Sequence, residues 1–231
     1  QGKTALVTGS GQGIGEGIAK VFASEGAEVV VATRTAASGK TTVDDITAAG
    51  GLAILVPTDV QHQGDIDNAI DVTIKTYGKL DIMVHNAASF AGGMIEDYAP
   101  MDLEDSLSTN LKAAFSLAKA SIPHMKELGG GRLLYTSSVT GPRVAMAGTS
   151  YYAASKGGLN GFIKTAGLEL APLRITVNGV EPGFIKTPAI DLLTDEEGQK
   201  QMAKYIPAGH FGPPEDIAYA MLYLASNEAA Y

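Results

Sequence analysis

The sequence has no cysteine, no tryptophan, only 6% aromatic residues and no surplus of positive charge. Without cysteine there is no disulfide, no thiolate nucleophile and no Cys-ligated zinc, while a reducing compartment is allowed. The four histidines show no metal-ligand spacing, so no metal site is expected. A formal net charge of −8 argues against a nucleic-acid partner, whose binding faces cluster Lys and Arg. No apolar run approaches the roughly 20 residues that span a bilayer, and no signal peptide is visible. The expectation is a soluble, cytoplasmic protein with neither membrane nor nucleic acid as partner.

What is present supports one substantial core. The 231 residues are 45% hydrophobic, and the 28 glycines are spread along the chain rather than gathered in a linker. No repeat, low-complexity tract or domain boundary divides it, so residues 1–231 read as a single domain. Six short β-branched runs, at 3–8, 27–33, 52–56, 80–85, 131–137 and 174–180, are apolar almost without interruption. That suits strands of a parallel sheet covered on both faces. Helix-period segments lie between them. Ile14, Ile18, Val21 and Phe22 follow the first strand; Leu103, Leu107, Leu111, Ala114 and Ala118 form one stripe on a long helix over about 102–128; Ile217, Met221 and Leu224 follow Pro214. Strand–helix alternation with right-handed crossovers predicts an α/β, doubly wound sheet.

Two local features suggest chemistry. The first is TGSGQGIG, Thr8–Gly15, between the first strand and the first helix. Gly9, Gly13 and Gly15 permit a tight turn that brings backbone N–H groups and a helix N-terminus against a diphosphate. A dinucleotide site selective for NAD places a carboxylate at the tip of the second strand, to hold the ribose 2′-OH. Here that tip reads Thr33-Arg34-Thr35, with no acid. Arg34 instead suits a 2′-phosphate, so NADP(H) is favoured and NAD(H) is the alternative. Asp59, after the third strand, is placed for the adenine amino group or for capping its own turn. The second feature is SYYAASK, Ser150–Lys156. Tyr152 and Lys156 are four residues apart and share a helix face, whereas Tyr151 does not face Lys156. Tyr151 reads as a pocket-lining or interface residue.

Together these motifs resemble the short-chain dehydrogenase/reductase family over nearly the whole chain. TGSGQGIG is similar to the family's TGxxxGxG turn, HNAA (85–88) to its NNAG motif, and Tyr152 with Lys156 to its YxxxK pair. Asn110 and Ser138 match the family's asparagine and serine, and EPGFIKT (181–187) resembles its PGxxxT segment. His85 and Ala88 stand where Asn and Gly are usual, and His210 where Arg is frequent. The Thr33-Arg34 pair resembles the NADPH-preferring carbonyl reductases of the family. The resemblance implies a Rossmann-type sheet whose final strand follows Tyr231. It implies a homotetramer built on the long helix and the helix carrying Tyr152. It also implies cofactor contacts from Ser10, Gln12, Ile14, Thr35, Val60, Asn86, Ala87, Ala88, Pro182, Gly183, Ile185 and Thr187.

The implied reaction is hydride exchange between NADP(H) and a secondary alcohol or its ketone, with a small molecule as substrate. Tyr152 exchanges the proton. Its phenol must fall from about 10 toward 7, worth roughly 4 kcal/mol, and a cation about 5 Å away at an effective dielectric near 20 supplies about 3 kcal/mol. Lys156 is that cation and, by resemblance, holds the nicotinamide ribose. Ser138 bonds the substrate oxygen, and Asn110 holds a relay water. Arg143 borders the expected pocket, as a contact for an anionic substrate or as a surface charge. Substrate choice falls to 89–97, 139–151 and 188–208; in the last, Leu192, Leu193, Met202, Tyr205 and Ile206 suggest an apolar lid. A nucleotide sensor without turnover, and an epimerase or dehydratase of the extended branch, are the competing readings. The four matched site residues oppose the first; the three-residue spacer after Gly9 and the chain length oppose the second.

Overall fold

The computed structural model describes residues 1–230. Tyr231 and the side chains of Leu192 and Leu193, two members of the expected lid, lie outside the described part. Six strands form one sheet in the order β3-β2-β1-β4-β5-β6, every neighbouring pair parallel. They are β1 Thr4–Thr8, β2 Glu28–Thr33, β3 Leu52–Pro57, β4 Ile82–His85, β5 Gly131–Thr136 and β6 Ile175–Val180. Each overlaps the segment read from sequence, and the ends agree to within two residues. The physical reason is visible in the side-chain alternation. Leu6, Val30, Met83 and Leu133 enter one core, while Val7, Val31, Val84 and Leu134 enter the other. With both faces buried, successive residues must all be apolar.

Helices cover the two faces. α3 (Gln63–Tyr77), α5 (Ala113–Glu127) and α6 (Ser150–Leu170) supply Ile66, Ile70, Leu117 and Leu159 to the first core. α1 (Gly13–Ser24) and α9 (Pro214–Ala225) supply Ile18, Phe22, Ile217 and Met221 to the second. α2 (Ala36–Ala48) contributes Ile46 to that same core. The chain runs β1-β2-β3 outward, then returns to place β4 on the other side of β1. Adjacent crossovers depart to opposite sides at this point, leaving a crevice at the carboxyl ends of the strands.

One expectation about the helices is corrected. The long helix is broken into α4 (Pro100–Leu107), a π-helical turn (Ser108–Lys112) and α5. A π-turn adds one residue to the helical repeat, so the apolar stripe slips round the helix. Leu103, Leu107 and Leu111 are only half-buried, and Ser106, Thr109 and Asn110 turn inward instead. Beyond β6 lie two short helices, α7 (Pro188–Leu193) and α8 (Glu196–Ala203).

Candidate active site

A cleft of about 1000 Å³ runs along the carboxyl edge of the sheet. Its construction begins at the glycine turn. Gly9 has φ of +64°, and a Cβ there would sit 2.7 Å from Ala87 Cα, so only glycine lets the loop after β4 close onto the loop after β1. Gly15 faces back onto the same turn, where a Cβ would meet the Gly9 carbonyl oxygen at 2.3 Å. The N-terminus of α1 is thereby held against the cleft, with Gln12, Gly13 and Ile14 in its wall. Ser10 does not line the cleft; its buried hydroxyl donates to the Val7 carbonyl at 2.6 Å and closes the strand end. Gly15 likewise acts from behind the wall.

At one end stand Thr33, Arg34, Thr35 and Asp59, joined by Ser38 and Thr58. Arg34 is largely exposed, with its Nη1 4.0 Å from Asp59 Oδ2. Asp59 Oδ1 accepts the Gln61 N–H at 3.0 Å, so the turn-capping role is present, while Oδ2 lies 3.8 Å from His62 Nδ1. Val60, Asn86, Ala87 and Ala88 form the floor. Asn86 bridges the two halves of the sheet: its Nδ2 donates to the Gly9 carbonyl at 3.2 Å and its Oδ1 accepts from Thr136 Oγ1 at 3.1 Å.

The far end holds Ser138, Tyr152 and Lys156, faced by Pro182, Gly183, Ile185 and Thr187. Tyr152 and Lys156 share a face of α6, and the Lys156 Nζ lies 5.5 Å from the centre of the phenol ring. That amine is buried and donates to the Thr136 carbonyl at 2.7 Å. Burial lowers its pKa from 10.5 to about 7. Burial also pushes the Tyr152 phenol above its ordinary 10.0, and the neighbouring Ser138 hydroxyl pulls it back down. This differs from the simple sequence expectation of a lysine cation drawing the phenol toward 7. Both groups are desolvated together, so burial shifts each toward its uncharged form.

Asn110 does not line the cleft. The π-turn points its side chain inward, where Oδ1 accepts the Ser89 N–H at 2.8 Å and Nδ2 donates to the Ser89 carbonyl at 3.0 Å and to Ser155 Oγ at 2.9 Å. It clamps the segment after β4 against the middle of α6. His85 fixes the same turn from the sheet side, its ring nitrogens 3.2 Å from Thr8 Oγ1 and 3.1 Å from the Thr109 carbonyl. Of the two readings of Arg143, the surface charge holds: its guanidinium pairs with Glu181 at 2.7 Å, and it does not line the cleft as a substrate contact. Tyr151 is buried outside the cleft, where its hydroxyl accepts the Ala99 N–H at 3.0 Å and so anchors the start of α4. Sequence reasoning missed Phe90, whose ring stacks on Tyr152 with centroids 5.4 Å apart. Its one signal was its place in 89–97, a segment read from sequence as choosing the substrate.

Comparison with known proteins agrees with this geometry. A family model described as enoyl-(acyl carrier protein) reductase matches residues 9–231. The chain is 36% identical over 231 residues to the 3-oxoacyl-[acyl-carrier-protein] reductase FabG of Escherichia coli (strain K12), covering all of this chain and 93% of that one. The chain belongs to the short-chain dehydrogenase/reductase family. Oxidoreductase UcpA of Salmonella typhimurium is 33% identical over 237 residues, with 100% and 90% covered. Among solved structures, a 7α-hydroxysteroid dehydrogenase complexed with NADH and 7-oxo glycochenodeoxycholic acid superposes with a TM-score of 0.95 at 32% identity, covering 100% and 89%. An actinorhodin polyketide ketoreductase variant with NADPH matches equally, TM-score 0.95 at 32% identity, covering 99% and 92%. The family and these neighbours make the chain a nicotinamide-dependent oxidoreductase in general terms.

Proposed function

We propose that this protein exchanges a hydride between NADP(H) and a secondary alcohol or its ketone, with Tyr152 as general acid and base. The observation that carries the reading is the single cleft: the glycine turn, Arg34, Ser138, Tyr152 and Lys156 all line it. The residues present suit a dinucleotide. Backbone N–H groups at Gln12–Ile14 and the start of α1 suit a diphosphate, and the Pro182–Thr187 segment suits a nicotinamide beside the phenol. NADP(H) is preferred because the tip of β2 offers Arg34 in place of an acid; the two solved neighbours bind NADH and NADPH respectively and do not decide it.

When bound, the nicotinamide supplies the hydride donor or acceptor. Tyr152, uncharged at neutral pH, donates its proton to the oxygen that becomes the alcohol. The Ser138 hydroxyl, beside it, donates to the same oxygen as charge develops there. Lys156 in its ammonium form returns a proton to the phenolate and is reprotonated from solvent, its lowered pKa easing that release. Two hydroxyls converging on one position favour a carbonyl oxygen over a carbon–carbon double bond, so we read a ketone reductase despite the wording of the family description. A homotetramer is supported by exposed Phe115 on α5 and Leu168 on α6.

Steady-state kinetics on a panel of ketones and alcohols with NADPH and NADH is the test. Turnover with NADPH exceeding that with NADH supports the reading, as does Tyr152→Phe lowering kcat at least 100-fold while still binding cofactor. Cofactor binding with no turnover of any substrate overturns it in favour of a nucleotide sensor.

A further inference from the structure

The substrate itself is constrained by the mouth of the cleft, given the oxidoreductase reading above. Phe90 stacks on Tyr152 with an interplanar angle of 19°, and 57% of its surface is exposed, so its remaining face is open. It is held from both sides. Asn110 clamps the preceding Ser89 through its N–H and carbonyl, and the Gly93 N–H donates to the Gly148 carbonyl at 2.9 Å. Met146, Phe184 and Ile190 line the cleft with it. Met94 and Ile95, on the same segment as Phe90, are exposed as well.

Segment 89–105, which forms one wall of this end, carries charge of one sign. Among the described residues lining the cleft, the only cations are Arg34, beside Asp59 at the nucleotide end, and Lys156, bonded to the Thr136 carbonyl. Arg143 is committed to Glu181. Segment 89–105 contains Glu96, Asp97, Asp102, Glu104 and Asp105 and neither Lys nor Arg. Glu104 is neutralised by Lys112, while Asp105 lines the cleft. A carboxylate or phosphate entering here would leave water without gaining a counter-charge.

We propose that the catalytic end of this cleft selects an uncharged ketone with a flat apolar body, and that Phe90 is the residue that selects it. A planar group sliding over the phenol meets the edge or face of a fixed aromatic ring, and parallel or edge-on aromatic contact adds to the burial of apolar surface. The same wall disfavours a ketone presented on an anionic carrier, such as a coenzyme A thioester, because segment 89–105 offers its phosphates neither Lys nor Arg. This separates the chain from relatives named for carrier-bound substrates.

The experiment compares kcat/KM with NADPH for 2-tetralone, butanone and acetoacetyl-coenzyme A, at low ionic strength, in wild type, Phe90→Ala and Phe90→Leu. The expected result is 2-tetralone at least tenfold above both others in wild type. Phe90→Ala lowers the tetralone-to-butanone ratio about tenfold, and Phe90→Leu, apolar but not flat, restores only part of it. Saturation-transfer NMR of 2-tetralone on the cofactor complex follows the same order. A ratio unmoved by Phe90→Ala, including equal losses on both ketones, overturns the proposal, because a role confined to holding Tyr152 acts on every substrate alike. Preference for the coenzyme A thioester also overturns it. A wild type that turns over none of the three, or any alcohol, overturns the oxidoreductase reading as well; turnover with unmoved selectivity overturns this inference alone.

Discussion

Lys156 is where chemistry and stability pull apart most plainly. Its amine is fully inside the protein, with one backbone carbonyl for company. Its pKa falls from 10.5 to about 7, so between those values the unfolded chain holds a proton that the folded chain releases. Stability therefore rises with pH across that window, and the cost of the buried charge is full below about pH 7. Replacing it by Met removes that cost, offset in part by about 1–3 kcal/mol for the Thr136 carbonyl left unpaired. We expect Lys156→Met to raise the thermal midpoint by a few °C at pH 6, with a smaller gain at pH 10, and to lower turnover at least 100-fold. Thermal scans at the two pH values check it; a midpoint that falls at pH 6 contradicts the assignment. This pair was legible in the sequence because four-residue spacing on a helix is a local fact. Phe90 was not, because its stacking on Tyr152 depends on a loop 62 positions away in the chain.

The elements were legible for a related reason. A strand buried on both faces leaves a continuous apolar run, and all six appear as such. The π-turn left no comparable trace: Leu103 to Ala118 reads as one stripe at ordinary helical spacing, and the extra residue at Ser108–Lys112 becomes visible only when Asn110 is seen facing inward. What fixes that turn is a tertiary contact, from His85 on β4 to the Thr109 carbonyl at 3.1 Å. Burial and the nearby Lys156 lower the imidazole pKa from 6.5 to about 3. The unfolded chain thus binds a proton between pH 3 and 6.5 that the native ring refuses, and stability is lost as pH falls through that window. His85→Asn keeps polar atoms that can reach Thr8 and Thr109 but does not titrate. Its unfolding free energy should lose up to about 1.4 kcal/mol per pH unit of this acid slope. Urea midpoints at pH 4.5, 5.5 and 7.5 measure the difference, and identical slopes in both proteins would show that the ring is protonated in the native state.

At the scale of the molecule, the cleft is the seam between two halves of one sheet. Gly9, Arg34 and Asp59 come from loops after β1, β2 and β3, whereas Ser138, Tyr152 and Ile185 follow β5 and β6. Protein contacts across that seam include the two Asn86 hydrogen bonds and the packing of Ala87 against Gly9. A dinucleotide lying along it touches both halves and binds only the folded chain, so its affinity adds directly to stability. At 100 times the dissociation constant the gain is about 2.7 kcal/mol, or roughly 5–10 °C in a chain of this size. NADPH should therefore raise the thermal midpoint more than NADH at equal concentration. Arg34 is 76% exposed and 4.0 Å from its nearest acid, so removing it leaves the free fold nearly unchanged, within about 0.5 kcal/mol. Arg34→Ala should then bring the NADPH shift down to the NADH value while the midpoint without cofactor stays in place. Equal shifts for the two cofactors in the wild type would remove the 2′-phosphate from the argument, because the cation at the tip of β2 is the charge proposed to distinguish them.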